Sequence, residues 1–324
     1  MSRKLIMGLL AIQAIYAAWP AGAAQPYPSK PIRVIVGFTP GGNDDYVGRV
    51  FANRIQERFG QTVIVDNRPG TGGNIGVELM ARANPDGYTL SSVGSITVAS
   101  GPSLYTKIGY DPLKDFAYVS RMAIGANVLF VHPAVPAKTV PELVALAQAQ
   151  PKELRYGTPG VASLGHLAVE LLQSVTRTQL IHVPYKGPAP AATAVVGGEV
   201  QIGIGASSAV IPLVQTKRVH ALAVTSPKRL GALPDVPSVA ESGYPGFSVI
   251  NNHGIVAPAG TPVPIVRLLN AEVRALLQNE EIRTKFPPLG LEPAASTQEE
   301  FTEIVKSELA KWTRVIKDAN IKAN

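Results

Sequence analysis

The chain has 324 residues, of which 46% are hydrophobic, with 30 glycines, 28 prolines and no cysteine. That length favours two domains over one, and the composition fits a turn-rich globular α/β protein while excluding a disordered or fibrous one. The formal net charge of +7 is spread without a basic run or basic–aromatic interleaving, so nucleic-acid binding has no support, and the lack of cysteine excludes disulfides.

The N-terminus reads as an export signal. Arg3 and Lys4 precede an apolar stretch over residues 5–18, followed by "WPAGAAQPYP", with a small-residue cleavage site near Ala23 or Ala24. The apolar stretch falls short of the roughly 20 residues that a membrane span needs, and Pro20 and Gly22 close it off. Residues 1–24 are therefore expected to be removed and the mature chain to be soluble in an oxidising compartment, without a cysteine to carry a lipid anchor. The nearest later candidate for a span, residues 195–214, contains Glu199 and Gln201 and reads as a buried strand followed by a helix.

From Ile32 the pattern alternates. "IRVIVGF" predicts a buried strand, and Val47, Val50, Phe51 and Ile55 then recur at helical spacing. "TVIVDN" is a second strand, "NRPGTGGNIGVELMARA" a glycine-rich turn entering a second helix, and "GYTLSSVG" a third strand. This alternation implies a mostly parallel sheet covered on both faces. The rhythm restarts with a strand at "NVLFVH" and a helix at "TVPELVALAQAQ", where Thr139 and Glu142 have capping-box spacing. Strand "LRYG", a helix over residues 162–175, strand "LIHVPY", helix "PAPAATAVVGG" and strands "VQIGIG" and "VHALAVTS" follow. After "KRLGALPDVPSVAESGYPGF" come "GIVAPAG", a proline-started helix to Gln278 and a final amphipathic helix over residues 298–319.

Two α/β units of similar rhythm predict two lobes. Residues 25–125 and 227–324 form lobe I in this reading, and residues 126–226 form lobe II. Two crossing segments make a hinge, and a hinge between lobes makes a closing cleft. Ligands of open α/β sheets sit outside the carboxyl ends of the strands. Two junctions lie there, "VIVGFTPGGNDDYVGR" and "LRYGTPGVASLGHL", each a strand running into Thr-Pro-Gly and then a helix.

A helix start offers unpaired N–H groups and the positive end of the dipole. At the first junction Gly41 and Gly42 carry no Cβ to hold a ligand away, Pro40 stiffens the approach and Thr39 adds a hydroxyl. The second repeats this with Thr158, Pro159, Gly160 and Ser163. Proline and glycine that merely end strands would explain one such junction; the matched pair favours two halves of an anion cradle. Asp44 and Asp45 suit the first helical turn, and Asp45 and Arg49 have ion-pair spacing, a supporting role more than a ligand contact. "VGSIT" is read as the end of the third strand, and its Ser95 and Thr97 are candidate hydroxyl donors into the same cleft.

Enzyme signatures are missing. His132, His166, His182, His220 and His253 have no metal-ligand spacing, "GVASLG" is not a nucleophile elbow, and "GTPGVAS" has no lysine for a phosphate loop. "GTGGNIG" lacks dinucleotide-fingerprint spacing, and Ser163 with His166 has no acidic third member. The expectation is no catalytic residue, no metal and no cofactor.

The stretches "PIRVIVGFTPGGNDDYVGR", "VDNRPGTGGNIGVELMARANPDGYTL", "YDPLKDFAYVS", "HVPYKGPAPAATAVVGGEVQ", "ALAVTSPKRLGALPDVPSVAESGYPGF" and "VAPAGTP" resemble the substrate receptors of tripartite tricarboxylate transporters, the Bug proteins. The resemblance covers essentially the whole mature chain. It implies a two-lobed periplasmic binding protein of type II, monomeric, whose partners are a small carboxylate and the membrane subunits of such a transporter. It also implies a ligand held by the loop with Phe38, Thr39, Pro40, Gly41, Gly42 and Asp45 and by the loop with Thr158, Gly160, Val161, Ala162 and Ser163. Two departures bear on ligand identity. Where many relatives carry an Asp-Asn pair, this chain has Gly205 and Ala206, then Ser207 and Ser208, of which Ser207 is a further candidate contact. Where relatives often have Trp-Phe, it has Asn252 and His253. Other readings are a sensory receptor of the same fold feeding a signalling partner and a secreted hydrolase.

Overall fold

The computed structural model describes residues 26–321, so the expected export signal and its cleavage point lie outside the described residues. Strand β1 (Ile32–Val36) pairs in parallel with β2 (Val63–Asn67) and β3 (Thr89–Gly94). Helix α1 (Asn43–Phe59) follows β1 and sets Val47, Phe51 and Ile55 against Ile32, Val34 and Leu90, all fully buried. Helix α2 (Asn74–Ala81) follows β2, and α3 (Ser95–Leu104) begins directly after β3. No helix was read from the sequence at α3. It is buried on nearly every side, so it shows no polar face to betray its period, and it contains Gly101 and Pro102.

Strand β4 (Phe116–Val131) is 16 residues long and joins the two halves. Its first part runs antiparallel to β9 (Ile250–Pro258), and β9 is antiparallel to β3. Its second part, from Asn127, runs antiparallel to β7 (Ile202–Ala206) and β8 (His220–Val224). Strand β7 continues in parallel to β5 (Arg155–Thr158), which is parallel to β6 (Ile181–Pro184). The sequence pattern placed a new strand only at "NVLFVH". Ser120 and Arg121 interrupt the apolar run upstream, and both find partners: the Ser120 hydroxyl donates to Ser296 O at 2.9 Å and Arg121 Nε to Ala294 O at 3.0 Å.

The second half is helix-covered by α4 (Val140–Ala149), α5 (Leu164–Thr176), α6 (Pro188–Val196) and α7 (Ser207–Gln215). The capping box expected at α4 is half formed. The Thr139 hydroxyl accepts from Glu142 N–H at 3.3 Å, whereas the Glu142 carboxylate takes the N–H of Lys138 at 2.6 Å. After β9 come α8 (Val263–Gln278), α9 (Glu280–Lys285), the short strand β10 (Leu291–Pro293) on β4, and α10 (Gln298–Asp318). A complete capping box, Thr297 with Glu300, starts α10. Its first turns put Phe301 and Val305 with Ile35, Met80 and Val256, while Trp312 and Ile316 join Leu129, Tyr156 and Leu167 of the other half. The C-terminal helix thus packs on both halves. Among the described residues no helix is long and apolar enough to cross a membrane, and no group of three His, Cys, Asp or Glu is placed to hold a metal ion.

Candidate functional site

The β1–α1 junction is shaped by Asp45. Its carboxylate accepts the N–H of Gly41 at 3.1 Å, Arg49 Nε and Nη2 at 3.0 Å each, and Asn67 Nδ2 at 3.0 Å. Burial alone would raise this carboxyl; the hydrogen bonds from Arg49, Asn67 and Gly41 outweigh it and hold the group below the usual carboxylate range. Asn67 Nδ2 also reaches Phe38 O at 2.8 Å, so one amide fastens both ends of the loop. Gly41 is needed for its backbone: φ is +95°, and a Cβ there would meet nothing within 4 Å. Gly42 is needed for space, because a Cβ would lie 2.7 Å from Pro188 Cγ at the start of α6. Helix α1 has no side-chain cap, which leaves its first N–H groups free.

At the β5–α5 junction the Thr158 hydroxyl accepts from Gly160 N–H at 3.3 Å and meets His182 Nε2 at 2.7 Å. Ala162, at φ +64°, donates its N–H to His166 Nδ1 at 3.2 Å. The Ser163 hydroxyl caps α5 by accepting His166 N–H at 3.3 Å.

These junctions face each other across one pocket with a cavity volume of about 50 Å³. Five helix starts surround it: Gly42 and Asn43 at α1, Thr97 at α3, Ser163 to Gly165 at α5, Pro188 at α6 and Ala206 at α7. Phe38, Asp44, Asp45, Asn127, Pro159, Asn251 and His253 complete the wall, with no lysine or arginine among the lining residues. His253 Nδ1 lies 2.6 Å from Asp44 Oδ1, and both side chains are buried. With no lysine or arginine in the lining, the donors this pocket offers an anion are helix ends and amide groups.

Of the residues singled out by sequence, Phe38, Gly42, Asp44, Asp45, Thr97, Pro159 and Ser163 line the pocket. Thr39, Pro40, Gly41, Thr158, Gly160, Val161 and Ala162 stand behind that lining as the frames of the two loops. Ser95 is fully buried and donates to Asn251 Oδ1 at 3.3 Å. Ser207, also fully buried, turns from the pocket and donates to Gly290 O at 3.3 Å. Asn252 faces away too, accepting from Arg121 Nη1 at 3.2 Å, whereas His253 beside it faces in. Sequence reasoning missed Asn127, Pro188 and Asn251. Pro188 had a signal, a proline at the first position of a helix after Gly187; the two asparagines had none.

The family model described as "Tripartite tricarboxylate transporter family receptor" matches residues 47–321. The protein BugT of Bordetella pertussis is 35% identical over 320 residues, covering 97% of this chain and 98% of its own length. The solved structure of R. palustris Rpa4515 with adipate has a TM-score of 0.88 at 35% identity, covering 91% of this chain and 99% of that one. The structure of periplasmic binding protein BugD also has a TM-score of 0.88, at 31% identity, covering 92% of this chain and 100% of that one.

Proposed function

The chain belongs to the tripartite tricarboxylate transporter receptor family, and from that premise we propose that it is a periplasmic solute receptor. It binds a small carboxylate between its lobes and delivers it to the membrane subunits of a tripartite transporter. The observation that carries this reading is the convergence of five helix starts on a pocket lined by no lysine or arginine. Such a site neutralises a carboxylate with backbone N–H groups and dipoles, which gain strength as closure excludes water. Dipoles spread over several helices hold the anion without locking it in one strong ion pair, which suits a receptor that must release its cargo. The adipate bound by the Rpa4515 structure supports the ligand class.

The ligand contacts in this reading are the first-turn N–H groups of α1 and α5, the Ser163 and Thr97 hydroxyls, and the amides of Asn127 and Asn251. The test is a thermal-shift screen of mono-, di- and tricarboxylates and aromatic acids. A ligand present at about 100 times its Kd stabilises the folded state by about 2.7 kcal/mol, so at least one acid should raise the melting temperature by several degrees. A screen in which no acid moves it would end the carboxylate reading.

A further inference from the structure

We propose that Asp44, held by His253, is a specificity-determining acceptor that makes the pocket favour carboxylates bearing a hydroxyl or amino group over unsubstituted ones. The inference rests on the carboxylate-receptor reading and names the substrate class of that same site.

The His253 tautomer follows from the hydrogen-bond geometry. Asn43 Oδ1 accepts the N–H of Ser208 at 3.2 Å, which orients the amide and turns its Nδ2 toward His253 Nε2 at 3.4 Å. An amide nitrogen can only donate, so Nε2 is the acceptor and the ring proton sits on Nδ1. Nδ1–H then donates to Asp44 Oδ1 at 2.6 Å, which makes that oxygen an acceptor. Asp44 is 7% exposed and His253 3%, and both line the pocket.

The two aspartates of the first turn differ in what is left over. Both Asp45 oxygens are taken by Gly41, Arg49 and Asn67. Asp44 Oδ2 has no hydrogen-bond partner among the described residues and is not sealed from solvent. It is an open acceptor on the wall of an otherwise donor-rich pocket. A hydroxyl or ammonium beside the ligand's carboxylate would donate to it. A plain methylene would leave it dry and unpaired, and a second carboxylate placed there would meet a like charge.

Calorimetry on the intact mature chain tests this with two matched series: succinate, malate and aspartate, then glutarate, 2-hydroxyglutarate and glutamate. In at least one series the wild type should bind a substituted acid about tenfold or more tighter than its parent. Asp44→Asn should bring the members of that series within about threefold of one another, chiefly by weakening the substituted acid. Should this variant not fold by circular dichroism, Asp44→Ser serves, and the wild-type ranking decides by itself. Equal or tighter wild-type binding of the unsubstituted acids, or binding confined to unsubstituted or aromatic acids, overturns the proposal. So does a substituted-acid preference that survives in Asp44→Asn. If no carboxylate of any kind binds the wild type, the receptor reading falls first and this one with it.

Discussion

His166 holds Ala162 in a conformation that non-glycine residues seldom adopt, accepting its N–H on Nδ1 at 3.2 Å. Burial pushes this imidazole down to about 4. His182, stacked on it with ring centroids 4.2 Å apart, is pushed to about 3, by burial first and by His166 second. Tyr156 stacks on the far face of His182, and the Glu170 carboxylate lies 3.9 Å from His166 Nε2. An unfolded chain takes up protons at these histidines near pH 6.5, whereas the folded one resists until about pH 4. The unfolded state therefore binds more protons across that window, so stability is full above it and is lost as pH falls through it. For His166, only 4% exposed, the displacement corresponds to on the order of 3 kcal/mol. We expect the melting temperature to stay level from about pH 8 to 7 and to fall below about pH 6.5, less steeply in His166→Gln, whose amide oxygen can still accept from Ala162. A wild-type midpoint as high at about pH 4.5 as at pH 7 would show that the pair does not set acid stability.

At the scale of elements, β4 is where one lobe becomes the other, and Thr225 pins it there. This fully buried residue donates its N–H to Asn127 O at 2.9 Å and accepts Asn127 N–H on its hydroxyl at 2.9 Å. The hydroxyl donates onward to Val249 O at 2.6 Å, and Val249 N–H returns to Thr225 O at 2.8 Å. Thr225→Val keeps the shape and leaves a buried N–H and a buried C=O without this partner, at about 1–3 kcal/mol each. Denaturant or thermal unfolding should show a loss of at least about 2 kcal/mol, several degrees in Tm; an unchanged midpoint would mean the crossing is held by packing alone. Most strands and helices were legible in sequence because their burial is one-sided or their apolar runs unbroken, as for Val47, Phe51 and Ile55 on α1, whereas β10 and α9 were not read. The start of β4 was not legible, since Ser120 and Arg121 look like surface until Ser296 and Ala294 arrive from the far end of the chain. Helix α3 was hidden by its burial, which erases the polar face that periodicity needs.

Closure belongs to the whole molecule, and it explains what the sequence told of the site and what it withheld. Each Thr-Pro-Gly junction is a local signal, so both loops were visible. Asn127 comes from β4, and Asn251 and His253 from β9, and they meet the loops only because the lobes touch. The touch is close: a Cβ on Gly72 would lie 2.1 Å from Val161 O, and the Tyr105 hydroxyl donates to that same oxygen at 3.1 Å. On the opposite rim Ser208 reaches Asn43 and donates its hydroxyl to Gly41 O at 3.3 Å. Gly42 gives a way to obstruct this contact without straining the fold. Its φ of −91° and ψ of 172° are open to alanine, so the open form should tolerate the change. In the closed form the new methyl would sit 2.7 Å from Pro188 Cγ, against a ring that cannot rotate aside. We therefore expect small-angle scattering to show a smaller radius of gyration for the wild type with a bound carboxylate than without. Gly42→Ala should keep the melting temperature of the ligand-free protein, contract less on binding, and bind about tenfold or more weakly, near 1.4 kcal/mol. A wild-type profile unchanged at saturating ligand would refute the hinge. A Gly42→Ala variant that contracts and binds as the wild type does would mean the lobes close along another path, with Pro188 free to withdraw from the pocket.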